Sequence, residues 1–190
     1  MLDSDASVCL SGGALGADAA WGDAARLAGH DVIHWVFAGH SNKAGVPIKE
    51  RHVLSQQELL VADDALVMAN RRLDRRWPIQ NQHVANLLRR NYYQVQWSDA
   101  CYAISTFEKG QVKGGTAWAT TMFTNRFEGP CPCYVYDQVR RTWTVWDGEG
   151  FLEADEVPAP SGTYAGIGTR ELNQHGSRAI LDLYGFDHLT

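Results

Sequence analysis

Three glycine-rich turns follow short apolar segments and contain the residue types that bind phosphate. They lie at residues 11–18, 114–116 and 168–170. Glycine lets backbone N–H groups approach an anion closely, and the positive N-terminal end of a following helix adds to the attraction. A single turn of this kind could equally serve the close packing of a strand on a helix. Three such turns together favour a phosphate or nucleotide site.

The candidate ligand-binding residues are the glycines of these turns and the hydroxyl, carboxyl and cationic groups beside them. They are Ser11, Gly12, Gly13, Gly16, Asp18, Gly114, Gly115, Thr116, Gly168, Thr169 and Arg170. For Asp18 we expect helix capping before contact with a ribose hydroxyl, because Asp is among the best N-cap residues. Arg90 is a candidate counter-charge and catalytic residue, but it could instead form an ordinary ion pair with nearby Asp99.

The elements that must position these turns alternate between apolar strands and helices. Strand patterns occupy residues 7–10, 32–37, 100–105, 134–136, 142–146 and 164–170. Helices are expected at residues 19–28, from Pro47 to about residue 72, from Pro78 to about residue 97, and at residues 117–125 and 171–184. Residues 147–162 resemble a long surface connection. This alternation predicts one α/β domain over residues 1–190, with a mainly parallel sheet that places the turns at its carboxyl edge.

Composition excludes several classes of protein. The 190 residues are 45% hydrophobic and 21% charged, which is typical of a globular domain and not of a disordered chain. A net charge of −5 argues against nucleic acid as a partner. We expect no membrane partner, because no run approaches the ~20 apolar residues that cross a bilayer, and we expect a cytoplasmic location because the first residues lack a signal-peptide pattern.

The cysteines and histidines do not form a pattern typical of a metal site. Cys131 and Cys133 have no second cysteine pair to complete a zinc site, and Cys9 and Cys101 lie in strand-like runs where buried thiols are common. We therefore expect reduced thiols and no metal. The sequence indicates no cofactor other than a possible nucleotide ligand.

The stretch Ser11-Gly12-Gly13-Ala14-Leu15-Gly16-Ala17-Asp18 resembles the SGGxxGAD motif of the SLOG superfamily. That superfamily holds the DNA-processing protein A family, the Lonely Guy phosphoribohydrolases and related Rossmann-like nucleotide binders. Arg90, residues 98–100 and residues 114–116 resemble the helix arginine, the strand start and the glycine turn of Lonely Guy enzymes. Residues 106–113 stand before the turn and have no counterpart in those enzymes. The resemblance implies a Rossmann-like three-layer domain, and we expect it to form a homo-oligomer.

The order of the motifs indicates a circular permutation. Residues 164–170, Tyr-Ala-Gly-Ile-Gly-Thr-Arg, resemble the AGIGSR strand that normally precedes SGGxxGAD, yet here they come last. If the usual first strand and helix have moved to the C-terminus, the strands ending at Leu10 and Ile167 must be adjacent and parallel. Residues 184–190 should then lie near residues 1–7.

One departure from the resemblance decides which function is favoured. The Lonely Guy glutamate that assists cleavage of the base–ribose bond falls on Ala119 in this chain. We therefore expect binding of a nucleotide or nucleotide-derived molecule, without assigning catalysis. A nucleotide N-glycosidase or phosphoribohydrolase, with Glu108 or Glu171 in place of the missing carboxylate, is the alternative. A ligand-controlled interaction module is the third interpretation.

Overall fold

Short strands alternate with helices in the computed structural model, which describes residues 6–186. The strands are β1 (Val8–Ser11), β2 (Asp31–Phe37), β3 (Arg51–Leu54), β4 (Ala100–Ser105), β5 (Phe107–Glu108), β6 (Gln111–Val112), β7 (Cys131–Asp137), β8 (Thr142–Trp146), β9 (Phe151–Glu153) and β10 (Thr163–Gly168). The helices are α1 (Ala17–Leu27), α2 (Gln56–Val61), α3 (Asp63–Leu73), α4 (Gln82–Val95), α5 (Gly114–Thr124) and α6 (Gln174–Leu183), with a 3₁₀ turn at Ile48–Glu50.

Eight strands form one sheet in the order β3-β2-β1-β10-β4-β7-β8-β9. The strands from β3 to β7 pair in parallel, and β8 and β9 extend this sheet in antiparallel pairing. Helices flank the sheet, so the predicted α/β class with a mainly parallel sheet is confirmed. No helix within residues 6–186 combines the length and the apolar character needed to cross a bilayer.

The last strand of the chain lies in the middle of the sheet. β10 pairs in parallel with β1, where Leu10 is opposite Ala165, and with β4 on its other side. The expected neighbours are therefore adjacent and parallel, while the circular permutation itself stays a prediction. The expected proximity of residues 184–190 to residues 1–7 concerns mainly positions 1–5 and 187–190, which lie outside the described residues.

Two helices differ from the sequence prediction. The segment from Pro47 to residue 72 is not one helix: it begins with the 3₁₀ turn and β3, which pairs with the edge of β2 and buries Leu54, and continues as the two helices α2 and α3. Helix α4 begins later than Pro78, because the Asn81 side chain accepts a hydrogen bond from the amide of Val84 and so caps the helix there. In both segments local capping and tertiary pairing set the boundary, rather than the position of the proline.

Strands also lie in two segments that gave no strand pattern. Strand β9 falls within residues 147–162, where the Asp147 carboxylate accepts hydrogen bonds from the amides of Glu149 and Gly150 and turns the chain back along β8. Strands β5 and β6 form a hairpin within residues 106–113, between β4 and α5. The second glycine turn therefore follows a hairpin and not directly a strand of the main sheet.

A buried tryptophan connects helix α1 to β10, the strand that ends in the third glycine turn. Trp21 is fully buried, and its Nε1 donates a 3.0 Å hydrogen bond to the carbonyl oxygen of Ile167. The close approach depends on Gly166, where a Cβ would lie 2.8 Å from Cβ and Cγ of Trp21 and 2.9 Å from the Sγ of Cys9.

We predict that Gly166→Ala destabilises the protein by about 2 kcal/mol, because an added methyl group has no space in a packed core. Urea denaturation measures the change in the free energy of unfolding. Gly150→Ala is the matched control, since a Cβ there meets no atom within 4 Å. Equal stability of the two variants would contradict the packing described for Trp21.

Candidate functional site

A cavity of about 710 Å³ opens where β4 and β10 end, at the carboxyl edge of the parallel strands. Sheets of this class bind ligands at that edge. The ends of these strands and the first turn of α5 contribute polar groups to its lining, and apolar groups come from Leu87 and Leu88 of α4, Ile79 and Trp118. Its size and mixed lining are typical of a small-molecule site.

Eight of the twelve candidate residues line this cavity. They are Asp18, Arg90, Gly114, Gly115, Thr116, Gly168, Thr169 and Arg170. The second and third glycine turns therefore meet at one cleft, as the sequence predicted. From the first turn, only Ala14 and Asp18 reach it.

The remaining four candidates, Ser11, Gly12, Gly13 and Gly16, do not line the cavity. The Ser11 hydroxyl is fully buried and lies 2.9 Å from the carbonyl oxygen of Asp18 and 2.6 Å from that of Gly166. Gly13 and Gly16 face neighbouring protein atoms. These residues hold the first turn against the sheet, and the Ser11 hydroxyl is hydrogen-bonded inside the protein.

Asp18 and Arg90 form a buried ion pair at the base of the cavity. Nη1 of Arg90 donates to Oδ2 of Asp18 at 2.9 Å, and both side chains are about 6% exposed. The other carboxylate oxygen of Asp18 accepts a 3.2 Å hydrogen bond from the amide of Gly168. Asp18 does not cap helix α1, whose N-cap is Gly16, and Arg90 pairs with Asp18 rather than Asp99. The helix capping expected of Asp18 and the ion pair with Asp99 considered for Arg90 are therefore both wrong.

Gly12 lies directly beneath the ion pair. A Cβ at this position would overlap Nη1 of Arg90 and Oδ2 of Asp18. With its amide oxygen turned toward the donors, Gln94 accepts hydrogen bonds from the amide of Gly12 at 2.8 Å and from Nη1 of Arg90 at 3.3 Å. The glycine thus makes room for the arginine, and the glutamine on the next turn of α4 holds both.

The first turn of α5 offers free backbone donors to the cavity. The amides of Gly114, Gly115 and Thr116 make no hydrogen bond to another described residue, and Lys113 stands at the N-cap. Gly114 and Gly115 are exposed. A helix N-terminus with unpaired amides attracts anions through its donors and its dipole.

The third turn contributes differently. The amide of Gly168 donates to Asp18, and the amide of Thr169 donates to the carbonyl oxygen of Ile104. Its backbone donors are therefore already used. What this turn presents to the cavity is the exposed guanidinium side chain of Arg170.

The cavity is electropositive although the chain is acidic. Among residues 6–186, four cationic side chains and two carboxylates line it: Arg75, Arg90, Lys113 and Arg170 against Asp18 and Glu171. Since Asp18 already neutralises Arg90, three cations face one remaining carboxylate. This excess favours an anionic ligand.

Several lining residues were not among the sequence candidates. They include Arg75, Asn91, Gln94 and Gln138. The α4 residues could have been found from helical spacing, because Val84, Leu87, Leu88 and Asn91 form the helical face that now lines the cavity. Arg75 has no such signal, since it lies in the loop between α3 and α4.

His40 follows β2 at the same edge of the sheet and is not among the residues that line the cavity. It is buried against Phe37, with ring centroids 5.3 Å apart. Burial, and then the positive charges of Arg90, Arg51 and Arg170, lowers the pKa of His40 to about 3. The imidazole is therefore neutral near pH 7 and adds no positive charge to this region.

No group of three or more His, Cys, Asp or Glu side chains within residues 6–186 is arranged to hold a metal ion. The four cysteines are free and buried. Burial raises the pKa of the Cys131 thiol to about 11, so this thiol is protonated near pH 7.

Comparison with known proteins supports the fold. No protein-family model and no curated protein matches the chain. The fold is similar to that of a protein from Syntrophus aciditrophicus SB named "putative molybdenum carrier protein", with a TM-score of 0.54 and 18% sequence identity over 99% of both chains. At this identity the likeness concerns the α/β architecture alone.

We predict that Gly12→Ala lowers the free energy of unfolding by about 3 kcal/mol, because the methyl group displaces Arg90 and leaves Asp18 without its buried partner. Gly115→Ala is the matched control, since a Cβ there would lie 3.8 Å from Cδ2 of Leu88 in ordinary contact. Its stability should be unchanged or raised by up to about 1 kcal/mol. Chemical denaturation checks both, and a Gly12→Ala protein as stable as wild type would refute the arrangement around Arg90.

Proposed function

We propose that the protein binds a nucleotide or nucleotide-derived small molecule in the carboxyl-edge cavity. The observation that carries the proposal is that one cavity is lined by unpaired helix amides, by cations without a partner carboxylate and by apolar side chains. Such a cavity suits a molecule with an anionic end and a flat apolar end. We further propose that the domain is a circularly permuted relative of the SLOG superfamily, since β10 lies between β1 and β4.

The phosphate group would lie on the first turn of α5. There it would accept hydrogen bonds from the amides of Gly115 and Thr116, with Lys113 and Arg170 as counter-charges from two sides. Arg90 would lie at the base of the site, held in place by its ion pair with Asp18. The first glycine turn would act indirectly, by shaping the base of the site.

The base would lie against the apolar part of the cavity lining. Leu87 and Leu88 of α4, Ile79 and the indole of Trp118 line this part of the cavity. Trp118 is itself fixed by Trp77, with ring centroids 5.9 Å apart. A rigid apolar wall of this kind accepts a planar heterocycle without a large loss of side-chain entropy.

A hydrolytic function is the second candidate, because Glu171 also lines the cavity. It is the lining carboxylate that remains available once Asp18 is paired with Arg90. At the position where the resemblance expects a glutamate, Ala119 presents only a methyl group. Binding without hydrolysis is therefore the simpler function for this set of residues.

The experiments can also test two further interpretations of the function. The name of the Syntrophus aciditrophicus protein refers to molybdenum, so molybdate belongs in a screen beside the nucleotides. A ligand-controlled interaction module would instead change its oligomeric mass when the ligand is added, which light scattering after gel filtration measures. We propose a homo-oligomer in the cytoplasm as the working state in either case.

We predict that Arg170→Ala weakens nucleotide binding about tenfold, because the side chain supplies an exposed counter-charge to phosphate. A thermal-shift screen against nucleoside mono-, di- and triphosphates, dinucleotides and molybdate identifies the ligand, and calorimetry then measures its Kd. Arg71→Ala removes a cation from the exposed face of α3 as the control. Equal affinities of the two variants would contradict the proposed site, and a response to molybdate alone would favour an oxyanion cargo.

We also predict that nucleoside 5′-monophosphates are recovered intact after long incubation with the protein, because no free carboxylate occupies the position of Ala119. Chromatographic separation of free base from nucleotide checks this. Release of base that is lost in Glu171→Gln and retained in Glu149→Gln, an exposed position outside the cavity, would favour the phosphoribohydrolase instead.

A further inference from the structure

A second depression of about 320 Å³ adjoins the cavity on the side of the β5–β6 hairpin. The two share Arg75, Lys113 and Gly114 in their linings, so they meet at the first turn of α5. The hairpin adds Glu108 and Lys109 to the second depression. This is the segment without a counterpart in the Lonely Guy enzymes, so the resemblance assigns it no role.

The hairpin holds its side chains in a fixed place. Its turn consists of Lys109 and Gly110, with φ of +51° and +80°, as a tight two-residue hairpin requires. Val112 is buried in the main core, and the ring of Phe107 packs edge-on against Phe151 at 5.7 Å between centroids. A short hairpin anchored at both strands can present Lys109 at a defined position.

Arg75 connects the hairpin to helix α5 through two hydrogen bonds. Its Nη1 donates to the carbonyl oxygen of Gly114 at 2.7 Å, and its Nη2 donates to that of Val112 at 3.1 Å. Burial lowers the pKa of Arg75, and the negative charge of Glu108 opposes that effect. The guanidinium therefore lies between the two depressions, with its position set by the backbone on either side of Lys113.

The charges of the second depression are unbalanced. In the part of the chain that the structure describes, Arg75, Lys109 and Lys113 line it together with one carboxylate, that of Glu108. The backbone beside them is open, because a Cβ at Gly110 or Gly114 would meet no atom within 4 Å. A rigid, open, cationic depression that continues an anion-binding cavity has the properties of a second anion subsite.

We infer that the β5–β6 hairpin, with Arg75 and Lys113, binds the second of two linked phosphate groups, so that the ligand is a diphosphate-containing molecule such as a nucleoside diphosphate or a dinucleotide. The inference rests on the proposed function, because the first phosphate occupies the α5 turn of the main cavity. Lys113 and the Gly114 backbone lie at the junction and contact both groups. The hairpin thereby selects ligands by the length of their phosphate chain.

The test compares inorganic phosphate with inorganic pyrophosphate by calorimetry on the full-length protein. Wild type should bind pyrophosphate at least tenfold more tightly than phosphate. Lys109→Asn should weaken pyrophosphate binding about threefold and phosphate binding by less than twofold. Asparagine is chosen because it tolerates the left-handed conformation of this turn.

Two variants serve as matched comparisons. Arg141→Asn removes a cation from another exposed left-handed position, φ +60°, between β7 and β8, and should leave both affinities unchanged. Glu108→Gln removes the one carboxylate of the depression, so it should strengthen pyrophosphate binding about threefold. If Lys109→Asn weakens pyrophosphate binding and Glu108→Gln strengthens it, the two changes in affinity cannot both come from a general loss of stability.

The possible failures are distinguishable. If phosphate binds and Arg170→Ala weakens it, while pyrophosphate binds no more tightly and Lys109→Asn behaves as Arg141→Asn, the second subsite is overturned and the proposed function stands. If neither anion binds, the proposed function falls and the subsite falls with it. Equal loss of pyrophosphate affinity in Lys109→Asn and Arg141→Asn would assign the effect to net charge and also overturn the subsite.

Discussion

The geometry of the cavity depends on one buried ion pair, between Asp18 at the start of α1 and Arg90 in the middle of α4. Two charges that are about 6% exposed are costly to desolvate, and their mutual attraction offsets that cost only when the remaining polar atoms are also satisfied. Here the second oxygen of Asp18 accepts from the amide of Gly168, and Gln94 joins Arg90 to the amide of Gly12. Through these contacts a single pair fixes the first turn, the third turn and α4 relative to one another.

This pair also separates two roles that glycine-rich turns can play. In the first and third turns, the backbone amides of Gly12, Gly168 and Thr169 donate to groups inside the protein, so they hold the site together and are not free donors. The turn that begins α5 keeps its amides unpaired among the described residues and faces the cavity. Three similar sequence signals therefore correspond to two structural functions, and the hydrogen-bond partners of each amide distinguish them.

The sequence predicted the alternation of strands and helices well, because buried strands and amphipathic helices have strong local patterns. It predicted the meeting of the second and third turns because parallel strands end at a common edge. It did not predict β3 or β9, which are short edge elements stabilised by pairing with β2 and β8. Nor could it identify Asp18 as the partner of Arg90, since the two are 72 positions apart and only the packing of α4 across β1 brings them together.

Most of the cationic side chains that line the cavity lie outside the sheet, in the connections between its elements. The likeness to the Syntrophus aciditrophicus protein spans nearly the whole of both chains at 18% identity, so a similar architecture is compatible with very different side chains. Apart from Arg90, which is paired with Asp18, the described cations that line the cavity come from three connections: Arg75 from the α3–α4 loop, Lys113 from the end of the hairpin and Arg170 from the turn after β10. Because their charges gather at one edge of a chain with a net charge of −5, the local potential there opposes the overall charge and directs anions to that edge.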